Sequence, residues 1–258
     1  MSESRNHVLP AFCIPGALLL CIPFIALIHE TPWHNFHLAY GDGPAVAVSL
    51  GLSLVALAFI AALGTPLALW LARSRSVFCH AAEILVLLAL LTPALAMGIL
   101  LVAAYGPYGT FGALLERLGV TLTNNAGAFV MAQVYGGLAY YILFARAAFE
   151  AVPQDLEEAA RVLGASEWQV FSLLTLPVVQ KSLTIGLIGA AVRIVGEFGI
   201  VAVFAYFPQG IPVKLYVNLQ NEGVDSVYSL VWLLLAVCLP LPLWLMRTPK
   251  RNSRSSTL

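Results

Sequence analysis

The chain carries six runs of mostly apolar residues, at roughly 9–28, 44–72, 81–105, 127–149, 182–206 and 227–246. A bilayer core about 30 Å thick is crossed by a helix of about 20 such residues. In lipid every backbone N–H and C=O must find its partner inside the protein, which leaves helices or closed barrels. These runs are continuously apolar and do not alternate, so they predict helices. The balance of residue types agrees: 60% of the 258 residues are hydrophobic and 10% charged, against about 45–50% and about 25% in soluble domains. Too few polar residues remain to cover a soluble surface, which excludes a soluble globular enzyme, a disordered chain and a collagenous one. The expectation is an all-α, polytopic membrane protein with six transmembrane helices. It forms a single transmembrane domain over 1–258, with an N-terminal helix at 9–28, a core at 44–246 and a tail at 247–258.

Basic residues fix the expected orientation. Arg5, Arg73, Arg75, Arg146, Arg161, Lys181, Arg247, Lys250, Arg251 and Arg254 fall in one set of connecting segments; Arg117 and Lys214 fall in the other, and Arg193 lies inside the fifth run. Lysine and arginine concentrate on the cytoplasmic side, so both termini are expected there, in a plasma membrane. The first run is too long for a signal-peptide core and no small-residue cleavage site closes it before His29 and Glu30, so it reads as an uncleaved helix. Thirteen Lys and Arg balance thirteen Asp and Glu, so no bulk field draws in nucleic acid. Cys13, Cys21 and Cys238 sit in apolar runs and Cys79 in a short basic loop, without the spacing of a disulfide scaffold or zinc site.

The loop between the fourth and fifth runs, 151–181, reads AVPQDLEEAARVLGASEWQVFSLLTLPVVQK. Asp155 with Glu158, and Ser166 with Gln169, have capping-box spacing at two helix starts. Gly164 between them suits a turn with positive φ, and Pro177 ends or kinks the second helix. Leu156, Ala159, Ala160 and Leu163 form an apolar stripe, while Glu157 and Arg161 have the i, i+4 spacing of an ion pair. Two short helices with an apolar face, lying along the membrane surface, serve either a protein partner or lipid headgroups.

Glu158-Ala159-Ala160, Gly164 six residues after the glutamate, and the distal Leu176-Pro177 resemble the EAA loop of ABC-importer permeases, and the resemblance covers about 44–246. It implies the type I importer permease architecture, with this loop as the coupling helix that sits in a cleft of a separate ATPase. Asp155, Glu158, Ala159, Ala160, Gly164, Phe171, Leu176 and Pro177 then form the ATPase-coupling surface. The implied partners are two ATPase copies, a substrate-binding protein and a second permease chain in a homodimer. No cofactor is implied. Arg193-Ile194-Val195-Gly196-Glu197-Phe198-Gly199, followed by FAYFPQGIPVKLYVNLQNEG, is similar to molybdate/tungstate permeases, with sulfate, iron(III), thiamine and phosphonate permeases related here. Leu91-Thr92-Pro93 through Gly98 is similar to a thinned form of a proline-rich stretch in such permeases.

Arg193, Gly196 and Glu197 are the candidates for the translocation path. A charge at bilayer depth is costly and normally faces protein or a water-filled cavity. Arg193 and Glu197, four apart, either pair structurally or give a tetrahedral oxyanion a positive path, for which the forked guanidinium is suited. Gly186, Gly189 and Ala190 extend the same stripe, which lets a helix approach closely. An ATPase is excluded within the chain: Lys181, Lys214 and Lys250 follow Gln180, Val213 and Pro249, where a P-loop needs Gly-Lys-Ser/Thr. His29, Glu30, His34 and His37 miss the zincin spacing, and Pro32 interrupts them, so no metal site is expected. A secondary transporter is the rival class, normally larger and built from inverted repeats; no internal repeat is visible.

Overall fold

The computed structural model describes residues 5–247; the tail beyond Arg247 lies outside them. The described chain is helical, without a β-strand. In order it forms α1 (Arg5–Glu30), α2 (Asp42–Arg73), α3 (Val77–Leu91), α4 (Ala94–Tyr105), α5 (Gly112–Arg117) and α6 (Ala126–Glu150). Then come α7 (Gln154–Val162), α8 (Glu167–Gln169), α9 (Leu176–Val195), α10 (Gly199–Phe204), α11 (Ile211–Glu222), α12 (Tyr228–Cys238) and α13 (Pro240–Arg247). Asp42–Arg73, Ala126–Glu150, Glu167–Val195 and Val224–Trp244 are long and apolar enough to cross a bilayer, and α3 with α4 qualify together as a fifth, bent span. Ile14–Glu30 adds a shorter apolar helix within α1.

An apolar helix thus stands at each of the six runs, but two of them are shaped differently from expectation. The third is not one straight span. Pro93 drives Thr92 out of the helical region (φ −67°, ψ 123°), and α3 and α4 diverge by 116°. The bend presses α4 against α10. A Cβ on Gly199 would stand 2.7 Å from the Cβ of Ala94, so only glycine permits this approach. The fifth run, expected over 182–206, instead spans Glu167–Val195. Hydropathy continues past Val195, but the helix stops at Gly196 and restarts as α10.

Cys79, expected in a loop, is buried in the first turn of α3. That turn is held by Ser76, whose Oγ accepts the Cys79 N–H at 3.2 Å. Likewise Asn125 caps α6 through the Ala128 N–H at 2.8 Å.

α6 is the central helix. One core cluster joins it to α2, α3 and α9 through Ile60, Cys79, Tyr141, Phe149, Val179 and Ile194. The other joins it to α4 and α10 through Met97, Phe129, Ile200 and Phe204. Among these apolar layers Gln133 is a polar pin. Its amide donates to Ser53 Oγ on α2 at 2.8 Å and to the Ile194 carbonyl on α9 at 3.1 Å. Hydrogen bonds between helices hold register where lipid offers no hydrophobic gradient.

Candidate functional site

Two clusters of sequence-predicted residues take shape on this frame. The first is the helical hairpin of α7 and α8. Pro153 precedes the first turn of α7 in an extended conformation. The capping box expected from Asp155 and Glu158 does not form, because the helix begins before Asp155. That carboxylate lies within the first turn instead, where negative charge complements the helix dipole. α7 closes at Gly164, φ +90°. The Gly164 N–H donates to the Arg161 carbonyl at 2.9 Å and the Ala165 N–H to the Ala160 carbonyl at 3.1 Å. This pair of bonds is the Schellman closure, and it needs a left-handed residue.

The second expected capping box is present. Gln169 Oε1 accepts the Ser166 N–H at 2.8 Å, and Ser166 Oγ accepts the Gln169 N–H at 3.3 Å.

α8 does not end at Pro177. It passes through a π-helical turn, Val170–Thr175, directly into α9. The Leu176 N–H reaches back five residues to the Phe171 carbonyl. The wider turn takes up the missing donor of Pro177, which sits harmlessly in the first turn of α9. The second arm of the hairpin is therefore continuous with a membrane span, and the loop expected over 151–181 narrows to the segment before Glu167.

The ion pair expected between Glu157 and Arg161 is replaced by two others. Helical rotation turns Glu157 inward, where its side chain is 5% exposed. Arg73, the last residue of α2, grips it with both prongs, Nη2 to Oε1 at 2.8 Å and Nε to Oε2 at 3.0 Å. Thr175 Oγ1, in the π turn, donates to Oε1 at 2.7 Å. Burial alone would push this carboxyl up. The hydrogen bonds from Arg73 and Thr175 and the Arg73 charge outweigh it and hold the group below its usual range. Arg161 turns outward and forks onto Glu167 at 2.7 and 3.1 Å, bracing the Gly164 turn.

The outer face of the hairpin is apolar and uncovered. Leu163 is 88% and Trp168 73% exposed, with Leu156 and Val162 beside them. Glu158 and Ala159 are exposed and Ala160 half-buried. Phe171 is half-buried, its ring 5.9 Å from that of Trp168. Leu176 is half-buried and Pro177 exposed at the start of the span.

The second cluster lies where α9 ends. Arg193 and Glu197 do not pair. Gly196 closes the helix, so residue 197 has left the i, i+4 position. Glu197 Oε1 instead accepts the Ile200 N–H at 3.0 Å, capping α10. Arg193 Nε donates to the Gly136 carbonyl on α6 at 2.7 Å, its one hydrogen bond among the described residues. Its guanidinium borders a small cleft with Thr92, Met97, Tyr135 and Gly136, at the bend of the third run. The close packing expected along Gly186 and Gly189 is present, against Phe144 and Tyr140 of α6.

Residues 64–246 match the family described as binding-protein-dependent transport system inner membrane component. The chain belongs to this family. Relatives of this inner membrane component include a probable molybdenum ABC transporter permease protein of Haloferax volcanii, 33% identical over 74% of this chain and 68% of that one. Another is the molybdenum transport system permease protein ModB of Mycobacterium tuberculosis, 30% identical over 89% of this chain and 88% of that one. The fold matches a chain of a bacterial alginate ABC transporter, with a TM-score of 0.76 at 20% identity over 94% of this chain and 93% of that one. The type I permease architecture expected from the sequence is thereby confirmed.

Within this permease fold, sequence reasoning missed Arg73 and Thr175 and gave Glu157 the wrong partner. Arg73 and Glu157 are 84 positions apart, a pairing that no local pattern announces. The one available signal was a threonine inside the apolar run Leu173–Leu176. In the segment His29–His37, His29 Nδ1 lies 3.0 Å from Glu30 Oε1, and His37 Nδ1 lies 2.8 Å from the Asn35 carbonyl.

Proposed function

We propose that this chain is the membrane-spanning subunit of an ATP-driven importer for a small tetrahedral oxyanion of the molybdate or tungstate kind. A binding protein outside the cytoplasm delivers the ion. Two copies of the chain form the path, each seated on one copy of a separate ATPase, with both termini cytoplasmic. Asp155, Glu158, Ala159, Ala160, Gly164, Phe171, Leu176 and Pro177 belong to the coupling surface, and closure of the ATPases swings the permease halves through it.

The observation that carries this reading is the hairpin from Gln154 to Gln169. Its backbone is closed at both ends of the turn and its second arm is fused to a span, yet its apolar outer face stays exposed among the described residues. A stiff handle with an uncovered apolar face fits a cleft in a moving partner. The names of the relatives support the oxyanion. Arg193 supports it chemically: Nε is spent on Gly136, and the Nη donors remain for a passing anion. A single guanidinium gives weak, transient contact, as conduction requires.

Reconstituted vesicles containing permease, ATPase and binding protein should accumulate labelled molybdate only with ATP. Leu163→Asp should abolish retention of the ATPase during purification, and Arg193→Ala should slow uptake with retention unchanged. Uptake that persists without ATP under a proton gradient would place the chain in the secondary class. Loss of assembly in Arg193→Ala would make that residue structural.

A further inference from the structure

The hairpin is attached to the membrane domain at a second place besides its fusion to α9. Glu157 alone on α7 points inward, and three elements meet on its carboxylate. These are the end of α2 through Arg73, the π turn through Thr175, and α7 itself. Thr175 is 1% exposed, so its hydroxyl has no competing water. The two-pronged geometry fixes angle as well as distance.

Without this node α7 would be tied only to its own hairpin, at Pro153 and Gly164, through the Arg161–Glu167 fork and by packing on the π turn, and no hydrogen bond among the described residues would link it to α2. A push on its outer face would then rotate it in place. With the node, the same push is transmitted to α2, which packs along α6 through Ile60, Ala68 and Tyr141. We propose that Glu157, held by Arg73 and Thr175, is the positioning residue that carries force from the docked ATPase into α2 and α6. The inference rests on the docking role proposed above for α7, and assigns the step after docking.

The test compares wild type with Glu157→Gln, Arg73→Lys and the exchange Arg73→Glu/Glu157→Arg, in vesicles with ATPase and binding protein. Three quantities are read: ATPase retained on purification, molybdate taken up per ATP hydrolysed, and hydrogen exchange of α7 amides. Glu157→Gln keeps shape and the Thr175 bond but loses the charge pairing. It should retain the ATPase and hydrolyse ATP, while uptake per ATP falls about tenfold and α7 exchange rises by a similar factor, as one lost charge-assisted bond implies. Arg73→Lys keeps charge without the fork and should fall between, which preserves the test if Glu157→Gln fails to insert. The exchange variant should recover part of the ratio.

Wild-type uptake per ATP in Glu157→Gln and in Arg73→Lys would overturn the positioning role. So would an unchanged ratio accompanied by faster α7 exchange, since that separates the anchor from coupling. Failure of the docking reading is distinct: wild type itself would then not retain the ATPase.

Discussion

Replacing Gly164 with valine isolates the backbone from every other contribution to the hairpin. A Cβ at this position would meet nothing within 4 Å, so the substitution adds no clash with neighbouring groups. What it strains is φ, +90° in the native turn. A left-handed conformation costs a residue with a side chain about 1–2 kcal/mol, and strained positions of this kind reach about 3 kcal/mol. A β-branched residue belongs at the upper end. Taking about 2–3 kcal/mol, the closed turn should lose roughly 30- to 150-fold in population.

The loss is local, because Gly164 touches neither core cluster. It is read at the amides of Leu163, Gly164 and Ala165, which donate to Ala159, Arg161 and Ala160 at 3.1, 2.9 and 3.1 Å. Their hydrogen exchange should accelerate by that factor while amides of α6 keep their rate, and ATP-driven uptake should fall in parallel. Gly164→Asn, which tolerates positive φ, should lie near wild type in both. Equal exchange and equal uptake for the valine and asparagine variants would show that the left-handed turn does not matter and that the hairpin's rigidity plays no part in coupling.

Further outcomes follow from the same geometry. Glu158→Lys alters an exposed carboxylate on the outer face, so the melting temperature should stay within the range of a surface change, about 0.5 kcal/mol, while uptake is lost; a large fall in Tm would mean that Glu158 is structural. Gly199→Val should destabilise the detergent-solubilised protein by about 1–3 kcal/mol through overpacking, because its Cβ would press on Ala94 at 2.7 Å and on the Leu95 nitrogen at 3.1 Å. Gly196→Ala, with its nearest neighbour at 3.6 Å, should be close to neutral, and reversal of that order would contradict the packing of α4 on α10. Acidification tests the Glu157 node. Its carboxyl is held below the usual carboxylate range by Arg73 and Thr175, so its contribution is intact above the pKa of an unfolded glutamate, about 4.3, and is lost as pH falls through the depressed native value. Opening of α7, measured by exchange corrected for intrinsic rates, should therefore rise on the acid side in wild type and show no such step in Glu157→Gln.

The parts of the site that were legible in the sequence are those made within one or two turns of chain. Gly164 and the Ser166–Gln169 box depend on neighbours a few residues away, so spacing alone reveals them. The Asp155–Glu158 box had the same spacing and failed, because Pro153 starts the helix earlier than the pattern assumed. Hydropathy located the apolar runs because it reports solvent, lipid or water. It is blind to direction, and so it ran straight through Pro93 and through Gly196-Glu197, where the chain turns. At the first break the outcome is decided by packing between distant segments, because α4 can fold back only where Gly199 leaves room for Ala94; at the second, the chain has already turned at Gly196, and Glu197 then caps the new helix through the Ile200 N–H. Glu157 makes the contrast sharpest. Local rules offered it Arg161, four residues on and of opposite charge. An exposed pair of that kind contributes about 0.5 kcal/mol or less, whereas a forked arginine and a buried hydroxyl supply three charge-assisted bonds to the same carboxylate. The stronger set wins, and it can be assembled only after α2, α7 and the π turn are already in place.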